Sequence, residues 1–176
     1  MKKLIIALAT VAFATIVEAA TCNWTATQIT YATTSGTPSS YAAYLIDASV
    51  VGRTTMIDAL TAGDTSLLTG AAIVRTATPV AQGTDYMRIS STGFGDYTAG
   101  DTYSYYTIVL DNTVPASAAY FLATAEKANV EVPSSGSMNM AFGSQASNAW
   151  QAIPEPTSGM LLLVGGALLA LKRKRA

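Results

Sequence analysis

Tyr103-Ser104-Tyr105-Tyr106-Thr107-Ile108-Val109-Leu110 is the stretch that decides the fold class. Aromatic and β-branched side chains crowd it, and these residue types pack best on a pleated, half-buried surface. A strand is expected from Tyr103 to Asp111. Alternation puts Tyr106, Ile108 and Leu110 on one face, expected to be the core, and Tyr103, Tyr105 and Thr107 on the other.

Outward from this strand, short β-prone segments recur between clusters of Gly, Pro, Ser, Asn and Asp. Strands are expected near Trp24 to Tyr31, Tyr41 to Asp47, Ala71 to Thr78, Asp85 to Ser91, Ala119 to Ala125, Asn129 to Val132 and Met138 to Gly143. Thr55-Met56-Ile57-Asp58 reads as a capping box with Asp in place of Glu. Ile57 and Leu60 then form an apolar stripe that Gly63 ends. Asp64 is expected to cap a second short turn, Thr65-Ser66-Leu67-Leu68, closed by Gly70. The sequence Ala-Gly-Asp-Thr occurs at Ala62 and again at Ala99, which is ordinary turn chemistry rather than duplication. The expected architecture is mostly β: a small antiparallel β-sandwich, jelly-roll-like, with one or two short helices and a C-terminal transmembrane helix.

The two ends of the chain have a different character. Lys2 and Lys3 precede an apolar stretch from Leu4 to Val17, and Val17-Glu18-Ala19 places small residues where a signal peptidase inspects the chain. Residues 1–19 therefore read as a signal peptide cut between Ala19 and Ala20. Ala19-Ala20-Thr21 ahead of Cys22 lacks the pattern of a lipobox, and no pilin-type leader is present. At the other end, Pro154-Glu155-Pro156 precedes Gly159, Met160, Leu161, Leu162, Leu163, Val164, Gly165, Gly166, Ala167, Leu168, Leu169, Ala170 and Leu171, and then the cluster Lys172, Arg173, Lys174 and Arg175. Proline on either side of Glu155 favours an extended peptide, so helix begins only after the triplet. A helix from Thr157 to Leu171 reaches roughly 22 Å against a hydrocarbon core of about 30 Å; snorkelling cations and local thinning make up part of the deficit. A buried helix of a soluble domain is disfavoured by Gly165, Gly166 and the four consecutive cations.

A Pro-Glu-Pro triplet, an apolar helix and a terminal basic cluster, in that order over residues 153–176, resemble the C-terminal sorting signal of the PEP-CTERM family of exported bacterial proteins. The resemblance implies processing near Pro154-Glu155-Pro156 by an exosortase-like membrane enzyme, after passage through the secretory translocon. It also implies a β-rich cargo associated with biofilm, the extracellular matrix or exopolysaccharide. The short apolar run and the mixture of Lys with Arg depart slightly from the family pattern.

Charge sets the topology. Both basic ends are expected to stay on the cytoplasmic side of the inner membrane, leaving Ala20 to about Ile153 outside. That exported part carries four basic residues (Arg53, Arg75, Arg88, Lys127) against nine acidic ones, a net charge of −5 compared with −1 for the whole chain. An acidic surface disfavours nucleic acid, whose phosphates need grouped cations. About 133 residues lie between the two signals, which suits one domain. The expected organisation is a β-rich domain over residues 20–143, a Ser-, Asn- and Gln-containing linker over 144–152, and the sorting signal over 153–176. The linker would hold the domain away from the membrane, with Trp150 near the bilayer interface.

Catalytic chemistry is thinly represented. The chain contains no His, which removes the usual general base, the Ser-His and Cys-His nucleophiles and the commonest zinc ligand. Glu126 with Glu131, or Asp96 with Asp101, are the carboxylate pairs a glycoside hydrolase would use, and this is the remote reading. Asp85, Asp96 and Asp101 are weak calcium candidates without an EF-hand loop; no metal or cofactor is expected. Cys22 has no internal disulfide partner, and Asn23-Trp24-Thr25 is a sequon without a glycosylating context. Thr25-Ala26-Thr27 and Thr76-Ala77-Thr78 are too few for an ice-binding array. Tyr97, Tyr103, Tyr105 and Trp24 could stack against sugar rings or fill a sandwich core. The favoured expectation is a non-catalytic surface or matrix protein; the alternative is a carbohydrate-binding module for exopolysaccharide.

Overall fold

The β-prone segments form strands where they are expected. The computed structural model describes residues 20–32 and 37–155. In chain order the elements are β1 (Ala20–Thr30), β2 (Ala42–Asp47), α1 (Arg53–Thr61), β3 (Ile73–Ala77), β4 (Val80–Gln82), β5 (Tyr86–Tyr97), β6 (Thr102–Leu110), β7 (Tyr120–Ala123), β8 (Lys127–Glu131), β9 (Ser137–Ser144) and β10 (Gln151–Ala152). Only β4 and β10 lack a counterpart in the sequence reading. Each is too short to carry a period of two, and each exists because a longer strand, β5 or β7, offers it an edge.

Two sheets result. A four-stranded sheet has the order β4-β5-β1-β9, and a six-stranded one runs β10-β7-β6-β2-β3, with β8 also paired to β6. β7 pairs with Ile108 to Leu110 of β6, and β8 pairs with Thr102 to Tyr105 further back along it. All pairings are antiparallel except β1 with β9, which are parallel, with Cys22 opposite Met138 and Trp24 opposite Met140. That parallel pair corrects the wholly antiparallel expectation. No hairpin links these two strands, so their relative direction is set by the long path between them.

The first sheet covers one face of the second. Trp24, Ile29, Met87, Ile89, Met138 and Met140 meet Leu45, Tyr105, Val109 and Leu122 in one apolar layer. On the opposite face of the second sheet, Tyr44, Ile46, Tyr106, Ile108, Leu110 and Phe121 share a second layer with Met56 and Leu60 of α1. Both faces of β6 are therefore core. The expected division into a buried Tyr106 face and an outward Tyr105 face is corrected, since Tyr105 and Thr107 are as buried as Tyr106. Alternation sorts side chains by face but is silent on how many faces find a cover; here the first sheet covers the Tyr105 face and α1 the Tyr106 face.

Across the six-stranded sheet runs a chain of buried polar contacts. Trp24 Nε1 donates to Thr107 Oγ1 at 3.0 Å, the Thr107 amide donates to Thr124 Oγ1 at 2.9 Å, and Arg53 Nε donates to the Thr124 carbonyl at 2.6 Å. Thr107 and Thr124 are fully buried. The Thr124 hydroxyl thus takes the place of a ladder carbonyl where β7 gives way to β8, and Arg53 ties the start of α1 to the same point. This docking sets the helix start. Gly52 is the N-cap without a side-chain cap, so the expected Thr55/Asp58 capping box is absent. Asp64 does cap locally: its Oδ1 accepts the Ser66 amide at 2.8 Å, and the Ser66 hydroxyl together with that amide holds its carboxyl below the usual range. Residues 65–68 form a turn rather than a second helix, with the Leu68 amide bonded to the Thr65 carbonyl.

Residues 144–152, expected as a linker, are folded onto the body. The Gln145 amide donates to the Thr27 carbonyl at 2.9 Å, and its side chain is buried. Trp150 Nε1 donates to the Thr30 carbonyl, and its ring lies 5.6 Å from that of Tyr41. Trp150 is therefore a packing residue of the domain rather than a free interfacial anchor. Among the described residues no helix is long and apolar enough to cross a membrane; the expected span from Gly159 to Leu171 lies outside them.

This core gives two testable outcomes. Thr107→Val leaves the Trp24 indole N–H buried without an acceptor and should lower the unfolding free energy by about 1–3 kcal/mol in urea titrations; a loss within measurement error would show that the inter-sheet bond is dispensable. Burial also pushes the Cys22 thiol from 9.0 up to about 11 and raises the hydroxyls of Tyr44, Tyr105 and Tyr106. Folded values above unfolded ones mean this stabilisation is complete below pH 9 and is lost as the pH rises through the folded values. Urea midpoints should fall above pH 9, and Cys22→Ala should flatten the first part of that fall, up to about 11.

Candidate functional site

The site is built around the last described residues, Ile153 to Glu155. The loop from Asp111 to Ala119 is stiffened by its own side chains: Asp111 Oδ1 accepts the amides of Ala119 at 2.9 Å and Tyr120 at 3.0 Å, and Asn112 Oδ1 accepts that of Val114. Pro115 opens a single 3-10 turn, Pro115–Ser117, where its missing N–H costs nothing. The carbonyl of Ala119 is thereby held in place to receive the Ile153 amide at 2.8 Å. Just before it, β10 pairs with β7 through Gln151 opposite Phe121 and Ala152 opposite Tyr120.

Ile153 is the anchor. Only 7% of it is exposed, and it joins Ala118, Phe121 and Leu60 in the layer under α1. Pro154 then crosses the turn after α1. Gly63 has φ +80°, and a Cβ built on it would lie 2.6 Å from the Pro154 carbonyl oxygen. Glycine is needed there on both counts. Gly63, Thr65, Pro115 to Ala119, Ile153, Pro154 and Glu155 line a cleft of about 310 Å³. Pro154 and Glu155 themselves are exposed. The site therefore offers one solvent-facing carboxylate on a backbone held by its neighbours.

Pro156, Gly159 to Leu171, Lys172 to Arg175 and the expected signal peptide through Ala19 lie outside the described residues. Ala20 opens β1, buried and opposite Tyr97.

The remaining candidates separate. Glu126 immediately precedes β8 and Glu131 ends it, so the two carboxylates sit toward opposite ends of that strand. Asp96 and Asp101 are both exposed, on either side of the turn joining β5 to β6. A second cleft of about 300 Å³, lined by Glu126, Lys127, Phe142 and Gln145 among others, contains one carboxylate. Asp85 and Asp96, the weak calcium candidates considered with Asp101, sit near opposite ends of β5. Among the described residues no three His, Cys, Asp or Glu side chains gather as a metal site requires.

The aromatic candidates face inward. Trp24, Tyr97 and Tyr105 are buried. Tyr103, half-buried, stands edge-on to Tyr97 at 5.1 Å and stacks on Tyr105 at 5.9 Å. A sugar-stacking platform on these rings is thus corrected to core packing. Thr25 and Thr27 lie on β1, whereas Thr76 lies on β3 of the other sheet, so no threonine array forms. Asn23 is engaged within its sheet, donating to Asn139 Oδ1 and accepting the Gly93 amide.

Gly63 and Ile153 escaped the sequence reading. Ile153 is an isolated apolar residue between Ala152 and Pro154, a signal too slight for periodicity to register; Gly63 reads simply as a helix stop. Comparison with protein-family models, with curated proteins and with solved structures finds no match.

Gly63→Ala should lower stability by about 1–2 kcal/mol through its left-handed backbone and the clash with Pro154. Urea titration together with amide exchange at Ile153 checks this. Unchanged exchange at Ile153 would show that the seat under Pro154 is not tight.

Proposed function

We propose that this chain is an exported bacterial surface or extracellular-matrix protein, non-catalytic, delivered by the secretory translocon and signal peptidase and sorted by a PEP-CTERM-type signal. Its β body, a jelly-roll-like sandwich in this reading, is the cargo. An exosortase-like enzyme of the inner membrane acts on the chain near Pro154-Glu155-Pro156. The protein is anchored in that membrane by the span from Gly159 to Leu171 and reaches the cell surface or the extracellular space after processing. The observation that carries this reading is the exposure of Pro154 and Glu155 at the point where the chain leaves the folded body, directly ahead of the apolar run.

The positions of the two ends support it. Ala20 lies beside Tyr97, which packs on Tyr103, whereas Thr30, at the other end of β1, receives the Trp150 indole. Ala20 and the Trp150 indole therefore lie toward opposite ends of β1. A body suspended from its C-terminal span has its N-terminal end free when the signal is cut before Ala20. The missing His and the separated carboxylates support the non-catalytic part.

Binding of exopolysaccharide is the second reading, and it now rests on a different surface. The outward face of the four-stranded sheet carries Thr21, Asn23 and Thr25 beside Ser137, Asn139, Ala141 and Ser90. These small, uncharged hydroxyls and amides suit hydrogen bonding to neutral sugars. Mass spectrometry of the protein from its native host should give an N-terminus at Ala20 and a C-terminus near Glu155; an intact Ala176 would overturn the sorting reading. On a glycan array, binding that is lost in Asn139→Ala and Thr25→Ala would favour the second.

A further inference from the structure

We infer that β10 and Ile153 form a latch that keeps Pro154 and Glu155 on the body, so that local release of this segment precedes cleavage. The inference rests on the sorting reading above. An enzyme that recognises an extended peptide uses its backbone donors and acceptors and the side chains on both sides of the bond to be broken. In the folded chain these groups are already engaged: the Ile153 amide is bonded to Ala119, its side chain is buried, and the Pro154 carbonyl rests on Gly63.

Reach makes the same point. Only Pro156, Thr157 and Ser158 separate Glu155 from the apolar run, a span of about 14 Å even when fully extended. With Ile153 docked, no more than that length of peptide lies free for a membrane-embedded enzyme to grasp. Release back to Trp150 frees Gln151, Ala152 and Ile153 and lengthens the accessible peptide by a similar amount. Little holds the segment: two strand pairs, one further backbone bond and one buried side chain. Segments so lightly held open without global unfolding. When opening and closing are fast compared with cleavage, the processing rate follows the open population. The covalent step itself is unaltered: the acyl carbon near Glu155 passes to water or an acceptor amine, and the leaving amine takes the proton.

Two full-length variants test the latch in membranes from the native host, with processing followed over time. Gly63→Ala disturbs the seat of Pro154 without altering the tag and should speed processing roughly tenfold. The double variant Tyr120→Cys, Ala152→Cys places thiols at a cross-strand pair. Oxidised, it should be processed at least roughly tenfold more slowly, and reductant should restore the rate. Cys22 is buried and does not compete. If the parent chain is processed and Gly63→Ala and the oxidised pair keep its rate, the latch is overturned while the sorting reading stands; if the pair does not bridge, Gly63→Ala decides alone. An unprocessed parent chain overturns both.

Discussion

A buried indole N–H must find an acceptor, and for Trp24 that acceptor comes from the opposite sheet. Its bond to Thr107 fixes the two sheets laterally, because sliding one over the other would strand the donor in an apolar layer. Thr107 is in turn locked by the Thr124 hydroxyl, and Arg53 joins the Thr124 carbonyl. One polar path thus connects the first sheet, the second sheet and α1. The apolar side chains around it supply most of the burial energy but little directional preference. Among the described residues no buried side-chain donor or acceptor is left without a partner.

The exit depends on that frame. β6 and β7 present Phe121 to the layer beneath α1, and Ile153 enters the same layer from the end of the chain. The seat for Pro154 is the turn that ends α1, at Gly63. Displacing α1 would remove both contacts, so the placement of Pro154 and Glu155 is a property of the tertiary core and not of the local sequence alone. Burial has a further effect on reactivity: Cys22, whose thiol is raised to about 11, is nearly all protonated at neutral pH and is a poor nucleophile and metal ligand.

Much of the β architecture is legible in the sequence because strands such as Tyr103 to Leu110 combine residue type with a period of two. The failures share a physical origin. Periodicity puts Tyr105 in the wrong environment because it cannot show that the four-stranded sheet covers that face while α1 covers the other. Thr55 and Asp58 carry the residue types of a capping box, yet the bond from Arg53 to Thr124 starts the helix earlier. Residues 144–152 look like a tether by composition, while Gln145 and Trp150 find partners more than a hundred residues away in sequence. The candidate tyrosines look suited to sugars because an aromatic residue has the same appearance in sequence whether it faces water or a neighbouring ring.

From its sequence alone this protein has a mostly β body, two chemically distinct ends, an acidic middle and no histidine, all consequences of local composition and short-range pattern. Tertiary structure decided the rest: the parallel pairing of β1 with β9, the two-sided burial of β6, the inward turn of Tyr97 and Tyr105, and the docking of Ile153 beside Gly63. Each depends on which distant groups meet, and a buried donor or an isolated apolar side chain reveals its partner only once the chain has closed around it.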